Sequence, residues 1–243
     1  MSGLDPFHAD VARIALAATQ RLGYALAGGN ALAAHGLLAR ATEDLDLFTT
    51  TPRATNAAVL DVTAALTAAG YDVQVLRPVQ PGGEFASLLI ARPDGAEVTL
   101  DLGRDARDHP PARVVLERGL PQPVLDLEDL IASKVAALLS RGAARDYIDV
   151  ATVHHRFGTQ YDQDALLRLA FARDAGLPAA DGAIAARRLD QLPDSEFATY
   201  GLSPAEISHV RESFAAWSRD PDDAPVADAA HQAVHPPEVT DPL

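Results

Sequence analysis

The chain has no cysteine in 243 residues, which excludes a disulfide framework, a cysteine-ligated zinc site and thiol catalysis. Aromatic residues supply only 5% of it, so any core must be built mainly from Ala, Leu and Val. No run of about 18 uninterrupted apolar residues occurs, so no membrane span is expected. Basic residues are outnumbered 34 to 20, leaving a formal net charge of −14. That balance excludes coating nucleic acid by bulk charge, though it leaves room for a local basic groove. Lysine is the scarcest basic type: the chain has 19 Arg and a single Lys, Lys134. In a chain that has otherwise turned to Arg, this Lys is a candidate for a role that a guanidinium cannot fill.

Apolar residues make up 48% of the chain, enough for a sizeable core. The first twenty residues intersperse charges and lack a basic lead. They do not read as a signal peptide, and a cytoplasmic location is expected. Helical spacing predicts a helix over 8–22. An apolar strand over 24–27 runs into Gly28-Gly29, and a short helix follows. Residues 43–50 alternate charged and apolar side chains, as a half-buried strand does. Thr51-Pro52 reads as N-cap and first turn of a helix extending to Gly70. Strands are predicted at 71–76, 84–91 and 97–102, the last two joined as a hairpin by Arg92-Pro93-Asp94-Gly95. Residues 104–123 read as loops with one strand at 113–116. Helices follow at about 126–141, 144–156, 163–173, 179–192 and 203–219. The Pro- and Asp-rich stretch 220–243 has no periodicity and reads as a disordered tail. The chain therefore divides near residue 123 into an N-terminal α/β half, 1–123, and a helical half, 124–219.

Asp44 and Asp46 lie two apart on a predicted strand, so both carboxylates share a face while Leu45 and Leu47 point to the core. Paired carboxylates repel unless a cation sits between them, and hard oxygens suit Mg²⁺. A lone Asp-x-Asp is more often an exposed acidic strand face, so its neighbours matter. Asp101, mid-strand between apolar neighbours, is positioned to converge as a third carboxylate. Such a set supports metal-assisted phosphoryl chemistry. The Gly28-Gly29 turn lets backbone approach a phosphate. Lys134 falls in the middle of the apolar stripe Leu127, Leu130, Ile131, Leu138 rather than on a solvated face. A buried ammonium needs a negative partner, either a structural carboxylate or a ligand phosphate. Asp146 and Asp149 share a helix face, with Arg145 beside the first. Arg168, Arg173, Arg187 and Arg188 are candidates for a basic face on the helical half. His154-His155 suits a helix C-terminus better than a zinc site, and Trp217 reads as a core anchor.

Taken together and in this order, these motifs resemble the AbiEii-like (MenT-like) nucleotidyltransferase toxins of bacterial toxin–antitoxin pairs. The resemblance covers about residues 24–153. It rests on Gly28, Gly29, Ala31 and Leu32, then Arg40 and Thr42 before Asp44 and Asp46, then Lys134, then Arg145, Asp146 and Asp149, with Asp101 between. The resemblance implies an α+β fold, a nucleotidyltransferase-type mixed sheet with flanking helices followed by a helical bundle. It implies that Asp44 and Asp46, with Asp101, bind Mg²⁺. Gly28, Gly29 and Asn30 would border the triphosphate, and Arg40 and Thr42 the approach to the metal pair. Lys134 would meet the nucleotide phosphates. Asp146 would act in the site by orienting Lys134 or the acceptor hydroxyl. The implied reaction moves a nucleoside monophosphate from an NTP to an acceptor hydroxyl, the tRNA 3′ end in relatives. The implied partners are an NTP, tRNA and a cognate antitoxin. Two alternatives stay open: a small-molecule (aminoglycoside-type) nucleotidyltransferase, and a non-catalytic binding module of the same fold.

Overall fold

In the computed structural model, residues 4–37, 40, 42–116, 119–177 and 181–217 are described; the predicted tail at 220–243 lies outside them. The first helix, α1 (Pro6–Ala18), begins where Asp5 accepts from the Phe7 and His8 N–H groups at 2.8 and 3.3 Å, with Pro6 in the first turn. Those contacts satisfy donors that a helix start leaves open. The remaining elements of the N-terminal half are β1 (Ala25–Ala27), α2 (Gly28–Ala34), β2 (Asp44–Thr49), α3 (Thr55–Ala68), β3 (Asp72–Arg77), β4 (Phe85–Ala91), β5 (Glu97–Arg104), β6 (Ala112–Val114) and β7 (Gln122–Val124). The helical part holds α4 (Leu127–Ser140), α5 (Ala144–Phe157), α6 (Gln163–Arg173), α7 (Asp181–Gln191), α8 (Asp194–Ala198) and α9 (Pro204–Ser213).

The strands form one mixed seven-stranded sheet in the order β3-β4-β5-β2-β1-β7-β6. β2 runs parallel to β5 and antiparallel to β1, while β4 and β5 make the expected hairpin. Register produces rows across the sheet. Leu45, Leu100 and Leu88 pair in one row, and Leu47, Leu102 and Ala86 in another, all fully buried. Between these rows, on the opposite face, Asp46, Asp101 and Ser87 are aligned. Period-two geometry thus places hydrocarbon on one side of the central strands and oxygen on the other. α1 and α3 pack on each other and against the sheet, and α4 packs on α2, α5 and α6.

Three local expectations change. α3 starts at Thr55, not Thr51, because residues 51–53 form a turn in which Arg53 takes φ 59°. The start is fixed by tertiary contacts: Tyr24 donates to the Thr55 hydroxyl at 3.3 Å, and that hydroxyl donates to the Glu84 carbonyl at 3.1 Å. The stretch read as loop contains β7, which lies at the proposed 123 boundary and ties it to the sheet through β1. Pro123 is tolerated there because β7 is a three-residue strand with few ladder bonds. The last helix, α9, ends at Ser213, and a short further helix, α8, precedes it. Trp217 is buried beyond the end of α9 against Phe214, as a core anchor. Among the described residues no helix is long and apolar enough to cross a membrane.

Candidate active site

The polar row opens into a cleft of ≈ 280 Å³ between the sheet and α4, walled by α2, β2 and the start of α5. Gly28, the residue after β1 and the first of α2, takes φ +62°, and a Cβ there would stand 1.8 Å from Asp46 Oδ2. Only glycine fits, for both conformation and space. At Gly29 a Cβ would come within 2.6 Å of Thr42 Cγ2. The glycine pair therefore lets the β1–α2 turn lie directly on the acidic strand.

Asp44, Asp46 and Asp101 all line the cleft. Burial pushes the Asp46 carboxyl above its usual range, and Asp101 and Asp44 add to this while Lys134 opposes it. Asp101 is raised too, first by burial, against the hydroxyl of Ser87, which donates to its Oδ1. No described residue donates a hydrogen bond to the Asp44 or Asp46 carboxylate. Crowded, desolvated carboxylates of this kind are relieved by a hard divalent cation, so the donor chemistry fits one. As they stand, no group of three or more His, Asp or Glu among the described residues is arranged to hold a metal ion.

Lys134 is 8% exposed, and its ammonium meets Asp149 Oδ2 at 2.8 Å. The same carboxylate accepts Arg40 in bidentate fashion, Nε to Oδ1 and Nη2 to Oδ2, both at 2.8 Å. Burial alone would raise the Asp149 carboxyl, but Lys134 and Arg40 together outweigh it and hold it below the usual range. Tyr200, from the segment between α8 and α9, lies under the Arg40 guanidinium, 5.4 Å from ring centre to Cζ. Lys134, Arg40 and Thr42 all face the cleft.

Two expected site residues are placed elsewhere. Asp146 is fully buried, outside the cleft lining, and holds Arg141 at 2.9 and 2.8 Å while accepting from the Ala143 N–H at 3.1 Å. It secures the start of α5, and the residue at Lys134 is Asp149, one turn on. Asn30 is also fully buried: its amide donates to the Asp44 carbonyl at 2.7 Å and accepts from Thr42 at 3.1 Å. It fixes the backbone that presents Asp44 and does not reach the cleft. Conversely, Glu43, Asp105 and Arg141 line the cleft although the sequence did not single out their position, and Arg145 of the last motif lines it as well. For Asp149 a signal was present, since it repeats the pattern of Lys134, a charge on a helix face that is otherwise apolar.

The expected arginine face on the helical half is only partly available. Arg173 pairs with Asp105 and donates to the Ala106 carbonyl, and Arg188 reaches the Leu139 and Ser140 carbonyls at the end of α4. Arg168 and Arg187 are exposed. His154 sits near the end of α5 with Nδ1 3.1 Å from the Tyr161 carbonyl.

The profile of the AbiEii nucleotidyl transferase toxin, type IV toxin–antitoxin system, matches residues 11–233. No curated protein matches the sequence. Among solved structures, the chain is similar to MenT4, a nucleotidyltransferase toxin of Mycobacterium tuberculosis, at 21% identity and TM-score 0.55, covering 90% of this chain and 92% of that one. It is also similar to JHP933 of Helicobacter pylori, at 19% identity and TM-score 0.53, covering 87% and 90%. At these identities the structural likeness carries the fold. With the profile spanning nearly the whole chain and the acidic strand, glycine turn and buried lysine gathered in one cleft, the protein belongs to the AbiEii nucleotidyltransferase toxin family.

Proposed function

We propose that the cleft transfers a nucleoside monophosphate from an Mg²⁺-bound NTP to the 3′ hydroxyl of an RNA acceptor, the tRNA 3′ end, and releases pyrophosphate. The observation that carries this reading is that Asp46 and Asp101, paired on adjacent strands, line one cleft together with Asp44 and Lys134. Asp44 and Asp46 would hold the metal. Asp101 stands beside Asp46 as the third carboxylate, because Ser87 engages only its Oδ1. The metal supplies charge neutralisation of the triphosphate and a lowered pKa for the attacking hydroxyl.

The chain's own residues do the rest. Gly28 and Gly29 let the triphosphate approach the backbone, since no side chain stands between it and Asp46. Lys134 presents its ammonium to the phosphates while Asp149 fixes its position. Arg40 and Thr42 frame the entrance. Asn30 and Asp146 act by holding Asp44 and the start of α5 in place. The new bond joins the acceptor 3′ oxygen to the α phosphorus, the bond from that phosphorus to the α,β-bridging oxygen breaks so that pyrophosphate leaves, and the hydroxyl proton is lost to solvent. As in other toxin–antitoxin pairs, a cognate antitoxin would hold the activity in check in the cytoplasm.

The test uses Asp46→Asn. This variant should lose NTP-dependent labelling of RNA and, when expressed, the growth arrest caused by the wild-type chain. Labelling or arrest retained by Asp46→Asn would overturn the reading.

A further inference from the structure

The sheet face that carries the carboxylates does not end with them. Two residues beyond Asp46 on β2 comes Phe48, half-buried and lining the same cleft. Strand alternation turns it with Asp44 and Asp46 and away from the fully buried Leu45 and Leu47. Its partner across the ladder is Gly103 on β5, and Phe85 on β4 completes the row. This row runs beside that of Asp46, Asp101 and Ser87, about 7 Å further along the strands.

Gly103 has a steric reason to be glycine. A Cβ there would stand 3.2 Å from the Phe48 ring and 3.3 Å from the Phe85 ring, inside ordinary carbon contact distance. The two rings thus close over a strand position that has no side chain. Phe85 is already covered, with the Arg77 guanidinium 5.0 Å from its ring centre. Phe48 is the ring turned to the cleft, and the one aromatic residue among the described residues that line it. A phenyl ring serving only the core would occupy position 47 or 49. At position 48 it offers a flat apolar surface beside the carboxylates, where a planar ring can stack.

The direction of attack decides which planar ring this is. In phosphoryl transfer the attacking and leaving oxygens lie roughly in line. The leaving pyrophosphate belongs, in the reading above, with the glycine turn on the β1 side of β2. The attacking hydroxyl then enters from the opposite side, where β5 lies and the floor from Phe48 to Gly103 extends. We infer that Phe48 stacks the 3′-terminal nucleobase of the RNA acceptor and, with Gly103 as the floor, sets its 3′ hydroxyl against the α phosphorus. The inference rests on the RNA-acceptor reading above and names the residue that grips that acceptor. An aminocyclitol acceptor, which has no planar ring, would leave the phenyl face without a ligand.

The experiment offers a transfer RNA, and a twin whose 3′-terminal ribose lacks its base, as acceptors to the full wild-type chain, Phe48→Leu and Phe48→Tyr. Binding of Mg–ATP, Mg–CTP, Mg–GTP and Mg–UTP is followed by calorimetry. The wild-type KM for the intact RNA should be lower than that for the twin by about fivefold or more. Phe48→Leu stays apolar but has no ring. It should raise the KM for the intact RNA to that for the twin, leave the twin's unchanged and bind the NTPs as the wild-type chain does. Phe48→Tyr keeps a ring and should keep the preference for the intact RNA. Equal wild-type KM values for the two RNAs overturn the inference, and that comparison needs no variant should Phe48→Leu fold poorly. A preference kept by Phe48→Leu overturns it too, as does NTP affinity falling in that variant, which would give the ring to the base of the NTP. The underlying reading fails separately: a wild-type chain that binds an Mg–NTP yet labels neither RNA sinks the acceptor and the stacking together, whereas labelling of both RNAs with equal KM sinks only the stacking.

Discussion

At Asp149 one carboxylate holds two buried cations, and the way it divides its oxygens explains why the chain keeps a lysine. Oδ1 accepts Arg40 Nε, while Oδ2 accepts both Arg40 Nη2 and Lys134 Nζ. A compact ammonium fits beside an in-plane guanidinium; a second planar fork does not. Arg at position 134 keeps the charge but must tilt or displace Arg40. Lys134→Arg is therefore expected to lower nucleotidyl transfer by about tenfold or more while the folded chain persists. The readout is turnover against NTP concentration together with the melting curve. Wild-type turnover in that variant would show the single lysine to be an accident of composition.

Among the elements, the turn from β1 into α2 is the most constrained. Its glycine at φ +62° is pressed against Asp46 Oδ2, so the turn and the acidic strand must be built as a unit. Asn30 in α2 holds the Asp44 carbonyl from the same side. Gly28→Ala meets both a disfavoured backbone region and an overlap with the carboxylate, and strain of this kind costs about 1–3 kcal/mol. The expected result is a chain less stable by that order in urea and at least tenfold less active, because Asp46 is the group that must move. An alanine variant with wild-type activity would show that Asp46 has no fixed position in the reaction.

Across the whole molecule, the cleft depends on how the helical part is tied to the sheet. Arg173 on α6 reaches the loop after β5, where it pairs with Asp105 and donates to the Ala106 carbonyl at 2.7 Å. That side chain is 11% exposed, so its charged hydrogen bonds are sheltered and worth about 1–3 kcal/mol. Arg173→Ala should lower stability by that order in chemical denaturation. It should also lower nucleotidyl transfer by leaving Asp105 negative in the cleft that takes the triphosphate. Wild-type turnover in a destabilised variant would show that the charge of Asp105 does not act on the bound nucleotide.

Much of this was legible in the sequence, and the part that was not has a common cause. Alternation in 43–50 fixes which face carries Asp44 and Asp46, because strand geometry has a period of two. The stripe through 127–138 locates Lys134 on a buried face, and the order of motifs identifies the family. The sequence could not tell that Asp149 and not Asp146 meets Lys134. Both acids lie on buried positions of one helix, and the choice depends on how α5 docks on α4. Nor could it join Arg40 to Asp149, 109 residues away, or foresee that Asn30 turns inward, that α3 starts at Thr55, or that Pro123 sits in a strand. Periodicity is local and survives in the chain alone. Which charge finds which partner is decided by packing, since a buried ion is stable only beside the group that the fold brings to it.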